Sequence, residues 1–121
     1  MTSIGILGST GSIGTQTIDV INSLPGDFKI KYLSSYQNAA LLAEQALKYN
    51  PDTICIVNDH NKSNLKNLLI GKNINIVSGR KALLELAGRN DIDLVMNGLV
   101  GASGMEPTIN AIRAGVNVAL S

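Results

Sequence analysis

A glycine-rich segment near the N-terminus, GSTGSIG at residues 8–14, sets the strongest constraint on the fold. It follows the apolar run IGIL at residues 4–7 directly and opens a helical pattern at Ser12. The side of that helix expected to face the core carries Ile13, Thr17, Val20 and Ile21. A glycine turn between a strand and a helix is typical of the dinucleotide-binding βα unit, in which the helix N-terminus faces a pyrophosphate. The segment therefore predicts such a unit at the start of the fold.

The residues of this loop suit an anionic ligand. Gly8 is expected to turn the chain tightly, Gly11 to let the backbone approach a diphosphate, and Gly14 to let the helix pack on the sheet. The hydroxyl groups between these glycines and the N–H groups of the first helical turn can donate hydrogen bonds to phosphate oxygens. The loop lacks the Lys-Ser or Lys-Thr pair that completes a P-loop, which argues against nucleotide triphosphate hydrolysis.

Apolar runs and turn signals alternate along the whole chain. The expected strands cover residues 3–8, 30–35, 53–57, 74–77, 94–97 and 117–120, and the expected helices cover residues 12–24, 38–49, 62–70, 80–87 and 106–114. Asn38 is the expected N-cap of the second helix. Hydrophobic residues make up 45% of the chain and aromatic ones only 3%, which favours an aliphatic core. The pattern predicts an α/β fold of Rossmann type, a doubly wound and mainly parallel sheet with helices on both faces.

Charge and hydropathy argue against several kinds of partner. Ten basic and nine acidic residues leave a formal charge of +1 with no basic stripe, so we expect no nucleic-acid partner. No apolar run reaches the about 20 residues that cross a bilayer, and no signal peptide is recognisable, which favours a cytoplasmic protein without a membrane partner.

Cys55 lies in an apolar run, where a thiol behaves as a small hydrophobe. His60 lies in a polar run without other ligands nearby and is expected to be a solvated loop residue.

Three segments together resemble the 1-deoxy-D-xylulose 5-phosphate reductoisomerase family. They are LGSTGSIG at residues 7–14, VMNGLVGASG at residues 95–104, and PT at residues 107–108 followed by AIRAG at residues 111–115. The resemblance is to the N-terminal domain of that family and spans the chain. It implies an NADPH-dependent oxidoreductase of isoprenoid biosynthesis that rearranges and reduces a phosphosugar with Mg²⁺ or Mn²⁺, and a parent enzyme that forms a homodimer.

The resemblance also implies a set of cofactor-binding residues. Around the diphosphate it places Thr10, Gly11, Ser12 and Ile13, around the adenosine ribose phosphate Tyr36, Gln37 and Asn38, and toward the nicotinamide Gly98, Leu99 and Val100. It assigns no catalytic residue and no metal ligand to this sequence, because in the family these come later in the chain. We therefore expect residues 1–121 to be a single NADPH-binding domain, truncated before the catalytic domain and inactive by itself.

The choice between NADPH and NADH depends on the end of the second strand. No Asp or Glu lies between Ser34 and Asn38, so the usual acceptor for the ribose 2′-hydroxyl of NADH is missing and nothing repels a 2′-phosphate. Members of the family often have a basic residue where this chain has Gln37. We therefore expect a preference for NADPH with a modest margin.

Two other hypotheses remain open at this point. The chain could be a stand-alone nucleotide-sensing or redox-sensing Rossmann module, which should complete its fold within the sequence, whereas a fragment should leave apolar surface unpaired near the last strand. It could also be the cofactor domain of a semialdehyde dehydrogenase. That family needs a nucleophilic cysteine beyond the cofactor domain, and Cys55 lies in the wrong place for this role.

Overall fold

A computed structural model describes residues 1–120, so residue 121 of the expected domain lies outside the described part. The strands are β1 (Thr2–Leu7), β2 (Phe28–Ser35), β3 (Thr53–Ile56), β4 (Asn75–Ser78), β5 (Leu94–Asn97) and β6 (Asn117–Leu120), and the helices are α1 (Ser12–Asn22), α2 (Ala39–Tyr49), α3 (Lys62–Leu68), α4 (Arg80–Ala87) and α5 (Met105–Arg113). Short 3-10 turns at Asp59–Asn61 and Gly101–Gly104 precede α3 and α5. Every expected strand and helix is present, with ends that differ by a few residues.

The six strands form one parallel sheet in the order β4-β3-β2-β1-β5-β6. Helices α1, α2 and α3 contribute to the apolar cluster on one face, and α4 and α5 to the cluster on the other. The chain first winds outward from β1 to β4, then returns through α4 to place β5 on the other side of β1. This reversal confirms the doubly wound α/β fold, and it opens a crevice above the carboxyl ends of β1 and β5.

The buried face of α1 differs from the expected one. Gly14, Ile18 and Ile21 are buried, whereas Val20 is 57% exposed. The expectation that Val20 faces the core was therefore wrong. The buried stripe follows positions i, i+4 and i+7, and its first member is a glycine, which gives no apolar signal in the sequence.

One aromatic side chain lies deep in the otherwise aliphatic core. The ring of Tyr32 in β2 is fully buried, and a Cβ atom added at Gly5 of β1 would come within 2.2 Å of its Cε2 atom. Gly5 therefore makes the space that Tyr32 fills. The Tyr32 hydroxyl has no hydrogen-bond partner among the described residues, and burial raises its pKa well above the ordinary value.

An arginine joins two elements at the amino-terminal edge of the sheet. Arg89 follows α4 and donates two hydrogen bonds to Asp52, just before β3, at 2.6 and 2.9 Å. It also donates two to Asp91, at 2.9 and 2.7 Å. These hydrogen bonds hold the pKa values of both carboxyl groups below their usual range.

Apolar side chains are exposed at the edge of the sheet formed by β6. Met105 and Ile112 of α5 are 64% and 62% exposed, and Leu120 of β6 is 67% exposed. Of the helices in residues 1–120, none combines the length and apolar character needed to cross a bilayer.

Candidate functional site

A cavity of about 560 Å³ lies in the crevice where the winding of the sheet reverses. We call it the switch-point cavity. Its lining residues come from the glycine loop (Gly8, Thr10, Gly11, Ser12, Ile13), the end of β2 (Ser34, Ser35, Tyr36), the segment after β5 (Gly98, Leu99, Val100), and from Val57, Arg80, Leu83 and Ser103. Its volume falls within the range of small-molecule and cofactor sites. Its position is the one at which open α/β sheets bind ligands.

The glycine loop is shaped by two close backbone contacts. Gly8 has a positive φ of 70°, and its carbonyl oxygen accepts a hydrogen bond from the Gly11 N–H at 3.2 Å. A Cβ atom at Gly14 would lie 2.2 Å from the Gly8 oxygen and 2.5 Å from the Ser9 Cα. Gly14 was expected to let the helix pack on the sheet, but its closest neighbour is the glycine loop itself. Both positions therefore require glycine for the shape of the loop.

Gly11 differs from these two glycines because its outer side is open. A Cβ atom at Gly11 would meet only the Gly8 oxygen, at an ordinary distance of 3.5 Å. Gly11 is the N-cap of α1, has extended backbone angles, and no side chain accepts a hydrogen bond from the first turn of the helix. The first N–H groups of α1 thus face the cavity without a capping side chain, an arrangement that fits a diphosphate.

Buried hydrogen bonds hold the loop in this shape. The Ser9 hydroxyl donates to Oε1 of Gln45 at 2.7 Å, and Nε2 of Gln45 donates to the Ser9 carbonyl oxygen at 2.9 Å. The Gly8 N–H donates to the Ser34 hydroxyl at 3.0 Å, and the Ser9 N–H donates to the Ser34 carbonyl at 2.7 Å. Gln45 and Ser34 were not among the expected site residues. A glutamine within the buried stripe of α2 was the available signal for the first of them.

Of the three residues implied to surround the ribose phosphate, one lines the cavity and two lie beside it. Tyr36 lines the switch-point cavity and is 63% exposed, but Gln37 and Asn38 are exposed beside it and do not line it. The Asn38 side chain accepts a hydrogen bond from the Leu41 N–H at 3.2 Å, which confirms it as the N-cap of α2. Below them, the hydroxyl groups of Thr10 and Ser35 lie 2.7 Å apart and connect the glycine loop to β2.

The segment after β5 closes the other side of the cavity. The Gly98 N–H donates to the Leu7 carbonyl oxygen at 2.9 Å, so this segment lies directly against the end of β1. Nδ2 of the buried Asn97 donates to the Gly104 carbonyl oxygen at 2.9 Å and to the Thr108 hydroxyl at 2.7 Å. Asn97 thus fixes the path from β5 to α5. Leu99 and Val100, which line the cavity, also line an adjoining hollow of about 440 Å³ beside α5.

Among residues 1–120, Arg80 is the only one that brings a charged side chain to the lining of the switch-point cavity. It is the first residue of α4, and its nearest opposite charge is Glu106, with Nη2 of the arginine 3.9 Å from Oε1. The sequence pattern gives no signal for Arg80, because it comes from a helix far along the chain from the glycine loop. The fold brings it to the cavity.

Cys55 and His60 do not line this cavity. Cys55 is fully buried, and burial raises the pKa of its thiol to about 12, so it is not a reactive nucleophile at neutral pH. His60 is exposed after β3, as expected. Within residues 1–120 no three His, Cys, Asp or Glu side chains lie close enough together to hold a metal ion, so this part of the chain does not fit a metal centre.

The fold, the glycine loop at a helix N-terminus and the cavity at the winding reversal define a Rossmann-type α/β domain. The particular family follows from comparison with known proteins. The family model of 1-deoxy-D-xylulose 5-phosphate reductoisomerase matches residues 4–121, and the chain belongs to this family. This membership excludes the semialdehyde dehydrogenase hypothesis.

Individual relatives agree with this assignment. The chain is 44% identical over 121 residues to the 1-deoxy-D-xylulose 5-phosphate reductoisomerase of Chloroherpeton thalassium, of which it spans 31% of the length. The solved reductoisomerase of Zymomonas mobilis in complex with NADPH matches 99% of this chain and 31% of its own, with a TM-score of 0.93 and 32% identity. A reductoisomerase structure with NADPH, fosmidomycin and magnesium matches 98% of this chain and 29% of its own, with a TM-score of 0.91 and 32% identity.

Proposed function

We propose that this chain is the NADPH-binding domain of a 1-deoxy-D-xylulose 5-phosphate reductoisomerase. The observation that carries the proposal is the uncapped N-terminus of α1 at Gly11, which faces a cavity of cofactor size at the winding reversal. It is supported by the solved relative of the same fold, whose complex contains NADPH. Residues 1–121 form one domain in this proposal.

Three parts of the cavity would hold three parts of the dinucleotide. The N–H groups and hydroxyls of residues 10–13 donate to the diphosphate, where the helix dipole also favours negative charge. Tyr36 covers the adenosine ribose, with Gln37 and Asn38 at the solvent edge. Gly98, Leu99 and Val100 line the path toward the nicotinamide, because they lie on the β5 side of the glycine loop.

The activity of the whole enzyme is part of the same proposal. It is the rearrangement and NADPH-dependent reduction of deoxyxylulose phosphate to methylerythritol phosphate in isoprenoid biosynthesis, with Mg²⁺ or Mn²⁺. The described residues contain no metal cluster, so we assign the metal, the phosphosugar and the catalytic groups to the part of the relatives that this chain does not span. We further propose a cytoplasmic homodimer that needs neither nucleic acid nor a membrane. The net charge of +1 gives no support to a nucleic-acid partner.

Calorimetric titration of the chain with NADPH and NADH tests the cofactor assignment. We expect one site for NADPH and weaker binding of NADH, since no carboxylate between Ser34 and Asn38 is present to bind the 2′-hydroxyl of NADH. Absence of binding to either dinucleotide, in a chain that unfolds cooperatively, would overturn the assignment.

A further inference from the structure

The switch-point cavity lacks a cation at the position where a 2′-phosphate is usually recognised. NADPH differs from NADH by this phosphate, which carries a charge of about −2 at neutral pH. The end of β2 offers it the exposed side chains of Tyr36 and Gln37, neither of which is charged. The Ser35 hydroxyl is buried and already bonded to the Thr10 hydroxyl and the Asn38 N–H. Hydrogen bonds from neutral donors are weaker than those from a cationic side chain.

Arg80 reaches the same cavity from the start of α4. Gly79, with a φ of 94°, donates its N–H to the Ile56 carbonyl oxygen at 3.2 Å and sets the start of α4 beside the end of β3. Leu83, one helical turn after Arg80 and on the same side of α4, is buried and also lines the cavity. The backbone therefore directs this side of α4 toward the cavity.

The guanidinium group of Arg80 is available for a ligand. Its side chain is 38% exposed, and its one ion pair in the described part of the chain is with Glu106. Its distance of 3.9 Å from Glu106 is too long for a hydrogen bond, and Glu106 is itself 69% exposed. The contact with Glu106 is a weak ion pair that a phosphate can replace.

We propose that Arg80 binds the 2′-phosphate of NADPH and is the residue that determines the preference for NADPH over NADH. The inference rests on the proposed cofactor function. The positive charge that the neutral Gln37 does not provide comes instead from Arg80 at the start of α4. The phosphate is held between two sides of the cavity, the neutral donors at the end of β2 and the guanidinium from α4. Charge and hydrogen bonding then act on the one group that distinguishes the two cofactors.

Replacement of the arginine tests this role. Arg80→Gln should weaken NADPH binding by about tenfold and change NADH binding by less than about twofold. Lys81→Gln is the matched control, because Lys81 is the adjacent residue of α4, is exposed, carries the same charge and does not line the cavity. It should leave both affinities unchanged. Adenosine 2′,5′-bisphosphate and adenosine 5′-monophosphate, used as probes, should show the same difference in Arg80→Gln.

A second variant should increase the affinity for NADPH, and a variant that fails to fold cannot produce such an increase. Glu106→Gln removes the carboxylate that attracts the guanidinium and repels the phosphate, so it should tighten NADPH binding by about two- to threefold. Equal weakening of NADPH and NADH in Arg80→Gln would place Arg80 at the diphosphate or the adenine and overturn the inference, while the cofactor function would stand. Unchanged affinities would overturn it too. Failure of the unaltered chain to bind either dinucleotide would overturn both.

Discussion

At the scale of single residues, Gly11 and Gly14 lie in the same loop but suit their positions for different physical reasons. Gly14 has no room for a Cβ atom, because the Gly8 oxygen would lie 2.2 Å from it. Gly11 has room within the protein and an open outer side. A requirement for glycine at residue 14 therefore comes from folding, whereas a requirement at residue 11 would come from the proposed diphosphate.

Gly11→Val should separate binding from folding. The isopropyl group would occupy the space above the first turn of α1, where the diphosphate is proposed, so we expect NADPH affinity to fall at least tenfold. Stability should fall by no more than about 1 kcal/mol, the scale of a changed N-cap. Gly14→Ala is the contrasting variant and should lower the midpoint of urea unfolding markedly. Unchanged NADPH affinity in Gly11→Val would show that the loop is only a turn.

Gln37→Arg tests the other side of the proposed phosphate position. Gln37 is exposed at the solvent edge beside the cavity, so an arginine there can reach a bound 2′-phosphate without displacing core residues. NADPH binding should tighten and depend more steeply on salt, and NADH binding should change little. Titrations with both cofactors at two ionic strengths measure this. Equal tightening of both would place residue 37 away from the 2′-phosphate.

At the scale of elements, the glycine loop is held by α2 as well as by its own backbone. Gln45 both accepts from and donates to Ser9, and both residues are buried. The loop, β2 and α2 are therefore joined by hydrogen bonds that are buried away from water. The pattern of apolar residues marks Gln45 as a polar residue within the buried stripe of α2, but it does not identify Ser9 as its partner.

Gln45→Leu should loosen the loop without changing the cavity lining. It leaves the buried Ser9 carbonyl oxygen without the Gln45 amide, while the Ser9 hydroxyl keeps the Ser34 carbonyl oxygen as an acceptor at 3.2 Å. The unsatisfied carbonyl lowers the free energy of unfolding by about 1–3 kcal/mol. NADPH affinity should fall as well, because the loop is less well ordered before binding. Urea unfolding and NADPH titration measure the two effects. Glu44→Leu, at an exposed position of the same helix, is the control, and equal effects of both variants would contradict the role of Gln45.

The contacts of Arg89 with Asp52 and Asp91 predict a pH dependence of stability. Because Arg89 lowers the pKa of both carboxyl groups in the folded state, they stabilise the fold above about pH 4 and lose this effect as the pH falls. Arg89→Gln should therefore be less stable than the unaltered chain by about 0.5–1 kcal/mol at pH 7, because both carboxyl groups are partly exposed and screened by solvent, with a smaller difference at pH 3. Urea unfolding at both pH values tests this, and a difference that does not depend on pH would contradict it.

At the scale of the whole molecule, the sequence allowed the fold to be predicted, but it did not reveal every residue that forms the cavity. The alternation of apolar runs and turn residues predicted all six strands, because it depends on local periodicity. The glycine loop was recognisable for the same reason, as a segment directly between β1 and α1. Arg80 and Asn97 were not expected, because their positions depend on how α4 crosses the sheet and how the segment after β5 returns. Such long-range placement leaves no periodic signal.

NMR mapping of NADPH binding on the isotope-labelled chain examines the location of the cofactor in the intact molecule. At 121 residues, backbone amide signals can be followed individually during a titration. We predict saturable shifts at residues 8–13, at Ser35 and Tyr36, at residues 98–100 and at Arg80, with small changes at the amino-terminal edge around Arg89. Shifts confined to the exposed side of α5 and β6, or no saturable shifts in a folded sample, would contradict NADPH binding in the switch-point cavity.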